Sequence, residues 1–150
     1  MKTAEKADWQ TSPLSSKRAA IKLNKIFSAE ESKAIQKGLI PKEMEDKWFI
    51  YWENNTLFFH RSWTGTCIYI VHFLPEGNNF RMVSADVNRD PEQYIETDDN
   101  RDIKMISYLI DILLLHKKAV FPDDDSTADN NPLKEWSQVG RAMTGEYTDD

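Results

Sequence analysis

The residues best suited to chemistry lie in one run, His60-Arg61-Ser62-Trp63-Thr64-Gly65, and in the aromatic positions around it. Six side chains form the candidate ligand-binding set: Trp48, His60, Arg61, Trp63, Thr64 and Tyr69. Indole and phenol rings stack on nucleobases and on apolar side chains. A guanidinium binds a phosphate or a carboxylate with two hydrogen bonds. The pattern predicts a recognition edge for a protein partner or a nucleotide-like ligand.

The same residues also have a purely structural interpretation. Trp48 faces Arg61 in the predicted hairpin, and a guanidinium over an indole forms a cation–π pair worth about 0.5–2 kcal/mol. Such a pair also closes the end of an aromatic core, in which case the rings pack on one another. His60 is expected on the opposite face of the sheet, beside Tyr69. The sequence leaves both interpretations open.

Catalytic and metal-binding chemistry has less support. The histidines His60, His72 and His116 show no metal-ligand spacing, and Cys67 is the only cysteine. A cysteine within a strand, even near a histidine, is usually buried and inert. The acids between residues 86 and 102 match no calcium loop, and the five glycines are too scattered for a phosphate-binding loop. We therefore expect no metal, no cofactor and a binding module rather than an enzyme.

Aromatic and β-branched residues predict four antiparallel strands, over residues 48–53, 56–63, 66–74 and 80–87. Asn54-Asn55 suits a two-residue turn with positive φ, which places Trp48 opposite Arg61 and Tyr51 opposite Phe58. One face is predicted to carry Ile50, Trp52, Leu57, Phe59, Ile68 and Ile70, and the other Phe49, Tyr51, Phe58, Tyr69, Val71 and Phe73. Because both faces are apolar, a second layer must cover the sheet: helices on both sides, another subunit or a ligand groove.

Two helices complete the predicted fold. Ser28 and Glu31 form a capping box, and Gly38 ends a short helix over residues 29–37. Apolar residues at helical spacing from Ile103 to His116 predict a long helix packed on the sheet. The fold class is therefore α+β: a four-stranded antiparallel meander with a long C-terminal helix and a short N-terminal helix.

Charge divides the chain into three segments. Residues 1–27 carry six basic and two acidic side chains, which predicts a basic extension, whereas residues 28–121 form the α+β domain. Residues 122–150, rich in Asp and Asn, predict an acidic flexible tail. The net charge of −6 argues against a duplex-DNA binder. The sequence has one cysteine, no apolar run of membrane-spanning length and a charged N-terminus. We therefore expect a cytoplasmic protein that does not associate with a membrane.

Three segments together resemble a bacterial family of small uncharacterised domains. They are residues 38–49 with the sequence KWF at their end, residues 59–65 containing HRSWTG, and residues 88–94, NRDPEQY, followed by Thr97-Asp98-Asp99. The resemblance covers residues 28–116. It implies an association with ADP-ribosyl-hydrolase or macro-type modules, and thus an accessory role near nucleotide chemistry. The motifs by which such hydrolases bind metal are not recognisable here.

Binding through the aromatic–arginine edge is the favoured function, and two alternatives remain. The first is an immunity or anti-defence type of protein that acts through its acidic surface and tails. The second is a small enzyme on an ADP-ribosyl or nucleotide substrate that uses His60 and nearby acids.

Overall fold

A computed structural model describes residues 3–119 and residue 121. Its strands are β1 (Arg18–Phe27), β2 (Trp48–Glu53), β3 (Thr56–Arg61), β4 (Cys67–Glu76) and β5 (Asn79–Asn88). They form one antiparallel sheet in the order β1-β5-β4-β3-β2. The helices are α1 (Ala29–Lys37) and α2 (Asp99–Leu109), and Ile110–Leu114 continues α2 as a π-helical turn. The fold is α+β, as predicted.

The predicted helix and turn signals are confirmed. Ser28 Oγ accepts a hydrogen bond from the Glu31 amide at 3.1 Å, and Glu31 Oε1 accepts from the Ser28 amide at 3.0 Å, which completes the capping box. Asn54 and Asn55 have φ of 53° and 60°, as a type I′ turn requires. Trp48 is therefore paired with Arg61 across the hairpin.

The sheet has five strands rather than the predicted four. Arg18–Phe27, which the sequence analysis placed in the basic extension, is β1 and pairs with β5. Its side chains alternate in part, with Ile21 and Phe27 buried, Lys22 and Asn24 exposed, and Lys25 half-buried over the ring of Phe27. Those lysines obscured the period of two in the sequence. The long helix also differs, because its regular α-helical part ends at Leu109 rather than at His116.

The predicted division of side chains between the two faces is correct for Ile68 and wrong for β4 from Tyr69 onward. A register shift between Phe59 and His60 places Phe59 opposite Tyr69 and His60 opposite Cys67. One extra residue in a strand moves every later side chain to the other face. Tyr69, Val71 and Phe73 therefore join Ile50 in the main core, and His60 lies beside Cys67 rather than Tyr69.

Different layers cover the two faces of the sheet. The main core packs α1 and α2 on one face, through Ile35, Met105, Ile106 and Leu109. The other face carries a smaller cluster of Phe49, Tyr51 and Phe58, covered by Ala4 and Trp9 from residues 3–17. We call residues 3–17 the N-terminal strap; it contains a short 3₁₀ turn, Lys6–Asp8. The second layer expected from sequence is thus supplied on this side by the chain's own N-terminal part.

Two further points concern the limits of the described chain. The predicted acidic tail, residues 122–150, lies outside the described residues. Across residues 3–119 and 121, none of the helices combines the length and the apolar character needed to cross a bilayer.

Candidate functional site

The Trp48–Arg61 pair forms as the hairpin register predicts. The Arg61 guanidinium carbon lies 4.9 Å from the centroid of the Trp48 ring. Tyr69 stacks on the same indole, with ring centroids 6.1 Å apart and planes inclined by 15°. Trp48 is 2% exposed and Tyr69 is 1% exposed, so neither ring presents a free surface on which a ligand can stack. The pair lies at the end of the core, and its role in binding stays a prediction.

Tyr69 belongs to a buried polar network that joins β4 to α2. Its hydroxyl lies 2.7 Å from that of Tyr94, which donates to Asp102 Oδ1 at 2.6 Å. Arg89 forms an ion pair with the other oxygen of Asp102, whose side chain is fully buried. Burial raises the pKa of Asp102, and the bonds from Tyr94 and Arg89 oppose that rise. The NRDPEQY segment therefore holds the loop between β5 and α2 in place.

Trp63 and Thr64 lie in an exposed turn, apart from the other predicted residues. Trp63 is 65% exposed, yet its position is fixed. Its Nε1 donates to the Met44 carbonyl at 2.7 Å, and Lys47 Nζ lies 3.7 Å from the ring centroid. Trp63 and Met44 border a surface cleft of about 380 Å³ that also contains Trp9 and Pro41. The hydroxyl of Thr64 is bonded locally to Thr66.

His60 occupies the opposite face of the sheet and is 3% exposed. Its Nδ1 lies 2.9 Å from the carbonyl oxygen of Gly65, and because a carbonyl only accepts, Nδ1 carries the proton. Burial lowers the pKa of His60, and the charge of Lys6 acts in the same direction. The ring is therefore neutral near pH 7, with a lone pair on Nε2. That buried nitrogen has no hydrogen-bond partner in the part of the chain described.

His60 lines a cavity of about 460 Å³ between the strap and the sheet. The sheet contributes Tyr51, Phe58, His60, Cys67 and Ile70, and the N-terminal part contributes Lys6, Thr11, Ser12, Pro13, Leu14 and Arg18. Cys67 lies directly opposite His60 in the ladder. Burial raises the pKa of its thiol to about 12, so the sulfur is protonated and is not an activated nucleophile.

The turn after β3 fixes both walls of this cavity. The carbonyl of Gly65 accepts from the amide of Ser12 at 2.9 Å as well as from His60. Trp9 Nε1 donates to the Ser62 carbonyl at 2.9 Å, and its ring stacks on Phe49 with centroids 5.9 Å apart. The HRSWTG run therefore has a clear structural task, which is to hold the strap and the histidine in one geometry.

The six predicted residues thus separate into three places. Trp48, Arg61 and Tyr69 meet at the end of the core, Trp63 and Thr64 lie on the exposed turn, and His60 faces the cavity. Sequence analysis missed Lys6 and Arg18 as cavity residues, because they fall in the segment predicted as an extension. The period of two in β1 is the signal that would have placed Arg18 on the sheet.

Comparisons with protein-family models, with curated proteins and with solved structures found no match. No group of three or more His, Cys, Asp or Glu side chains arranged to hold a metal ion occurs within residues 3–119 and 121.

Proposed function

We propose that this chain is a non-catalytic binding module that takes a small organic molecule in the cavity between the strap and the sheet. The observation that carries the proposal is the buried side chain of His60, which lines the cavity and whose Nε2 has no hydrogen-bond partner among the described residues. A buried acceptor left unpaired costs about 1–3 kcal/mol. A ligand that donates a hydrogen bond to Nε2 recovers this free energy, which gives the cavity a built-in preference for an occupant.

The shape of the cavity supports this function. Small-molecule sites are concave, mostly apolar and about 300–1,000 Å³ in volume, with a few placed polar groups. Here the sheet supplies a largely apolar wall, and His60 supplies a polar group whose orientation is fixed by the Gly65 carbonyl.

Binding is favoured over catalysis by the state of the two reactive side chains. The thiol of Cys67 is protonated, and His60 is oriented by a carbonyl rather than by a carboxylate that would stabilise an imidazolium. The cytoplasm, where a single cysteine stays reduced, is the proposed location of the module. Its predicted relation to ADP-ribosyl-hydrolase or macro-type modules remains part of this proposal.

The exposed turn favours a second candidate function, recognition of a partner protein. Trp63 and Met44 are 65% and 77% exposed, and both border the same cleft. An ordered tryptophan on a surface is typical of interface hot spots. Trp63→Ala should then abolish complex formation with a purified partner and leave the unfolding temperature nearly unchanged. Action through the acidic tail remains a prediction, since that segment lies outside the described residues.

Histidine NMR tests the cavity directly. The full chain, labelled with ¹⁵N-histidine, is titrated with a library of small polar fragments, and the Nε2 resonance of His60 reports occupancy of the cavity. We expect at least one fragment to shift that resonance and to raise the unfolding temperature, because a ligand of the native state stabilises it. His72, in the same sheet but outside the cavity lining, serves as the internal control. A library that leaves His60 unperturbed would overturn the proposal.

A further inference from the structure

The tautomer of His60 restricts what its ligand presents. Nδ1–H is already donated to the Gly65 carbonyl, so Nε2 acts only as an acceptor. A ligand that offers a carbonyl or an ether oxygen at this point gains nothing and leaves two acceptors facing each other. The cavity therefore selects an N–H or O–H group at its histidine end.

The charges around the cavity have one sign. Lys6 and Arg18 are the ionic side chains of its lining, and no aspartate or glutamate is among the described residues that form it. The guanidinium of Arg18 is held in place, because Nε donates to the Ser15 carbonyl and Nη2 to the Leu14 carbonyl, each at 2.8 Å. Its Nη1 has no bond to the described residues. A fixed guanidinium and a nearby ammonium are suited to an anionic group such as a phosphate.

The sheet side of the cavity suits a flat ring. Phe58 is half-buried, and one side of its ring stacks on Tyr51 with centroids 4.6 Å apart. Tyr51 is itself stacked between Phe58 and His60, and both it and His60 are buried, so Phe58 is the partly exposed member of this stack of three rings. A planar ring can pack on the side of Phe58 that Tyr51 leaves uncovered. Aromatic side chains commonly bind bases in this way.

Resting on the proposed function, we infer that the ligand is a small nucleotide-like anion of the size of a nucleoside monophosphate. Its phosphate is held by Lys6 and Arg18, its ring packs beside Phe58, and an N–H or O–H group donates to Nε2 of His60. The volume of about 460 Å³ accommodates one such molecule rather than a polymer.

Calorimetry on the full chain tests this inference. The probes are the four ribonucleoside 5′-monophosphates, the corresponding nucleosides and inorganic phosphate, all at one pH and one ionic strength. We expect at least one monophosphate to bind about tenfold or more tightly than both its nucleoside and phosphate alone, because charge-assisted hydrogen bonds are the stronger ones. Monophosphates that do not bind, or that bind no better than their nucleosides or than phosphate, would overturn the inference.

Variants assign the contacts. Lys6→Gln and Arg18→Gln should each weaken the monophosphate about tenfold and leave the nucleoside unaffected, whereas His60→Phe should weaken both. Lys42→Gln, which alters an exposed lysine of the Trp63 cleft, is the matched control and should change nothing. An equal loss for Lys42→Gln would show that only diffuse charge matters and would contradict the assignment. A neutral fragment that still shifts His60 when no nucleotide binds would refute this inference and leave the proposed function standing. A His60 resonance that no fragment and no nucleotide shifts would refute both the proposed function and this inference.

Discussion

The carbonyl oxygen of Gly65 lies 2.9 Å from Nδ1 of His60, and this bond fixes the tautomer of the histidine. It keeps the proton on Nδ1 and leaves Nε2 as a base with no partner among the described residues. The same oxygen accepts from the amide of Ser12, so one backbone atom couples the ring to the strap that covers it.

Gly65→Ala should destabilise the protein by about 3 kcal/mol or more. Gly65 has φ of 76°, a conformation that costs an L-residue about 1–2 kcal/mol. An added Cβ would also lie 2.4 Å from the carbonyl oxygen of Gln10 in the strap. Chemical denaturation measures the loss.

Gly77→Ala is the matched control for this experiment. Gly77 has φ of 63°, but an added Cβ would meet nothing within 4 Å. We therefore expect Gly77→Ala to cost only the backbone strain, about 1 kcal/mol. Equal losses in the two variants would show that the strap does not press on the turn.

The stability of the protein should fall as the pH is lowered from about 7 through the ordinary histidine pKa of 6.5. His60 has a lowered pKa in the folded state, so below pH 6.5 the unfolded chain binds a proton at this histidine that the folded chain does not bind. The contribution of neutral His60 to the free energy of unfolding is complete above pH 6.5 and is lost as the pH falls toward the pKa of the folded state. The free energy of unfolding changes with a slope of at most about 1.4 kcal/mol per pH unit.

His60→Phe isolates this contribution, because other groups titrate equally in both proteins. The neighbours Tyr51 and Cys67 do not interfere, since burial raises the pKa of each to about 12. Unfolding free energies measured at several pH values should show a shallower slope for the variant. Parallel curves would mean that His60 takes up its proton equally in the folded and unfolded states, so that folding does not change its pKa.

Arg61→Ala decides between the two sequence-based interpretations of the aromatic–arginine pair. Because Trp48 is buried beneath the guanidinium, we expect a loss of about 2 kcal/mol from the cation–π contact and the packing of the arginine stem. Lys47→Ala removes the cation–π contact to the exposed Trp63 and should cost only about 0.5 kcal/mol. If the Arg61→Ala protein kept its stability but no longer bound the nucleotide probes, the result would support the interpretation of the pair as a recognition edge.

Local signals predicted much of this fold from sequence. The Asn54-Asn55 turn set the hairpin register correctly, and the Ser28–Glu31 capping box located α1, because each depends on contacts between residues close in the chain. The shift at Phe59 and His60 was missed, since a bulge depends on how a whole strand fits its neighbour. That one residue changed the side of Tyr69 and brought His60 to Cys67.

The candidate site was predicted only in part for the same reason. His60 was chosen for its chemical type, but its neighbours Lys6 and Arg18 are more than 40 residues away in the sequence. Arg18 is placed by the pairing of β1 with β5, and Lys6 by the bonds that the strap makes to Ser62 and Gly65; both are long-range contacts that no local sequence pattern predicts.

The position of β1 beside β5 also sets an order of events during synthesis. The first strand leaves the ribosome without a partner, and its partner Asn79–Asn88 is complete only about sixty residues after Phe27 has been translated. Contacts between such distant segments form slowly, because the intervening chain must first lose conformational entropy by closing into a loop, and the contacts stabilise it only afterwards. A nascent chain that stops short of Asn88 therefore has no finished docking edge for β1, and Arg18 takes its place in the lining of the cavity only when the last strand of the sheet has emerged.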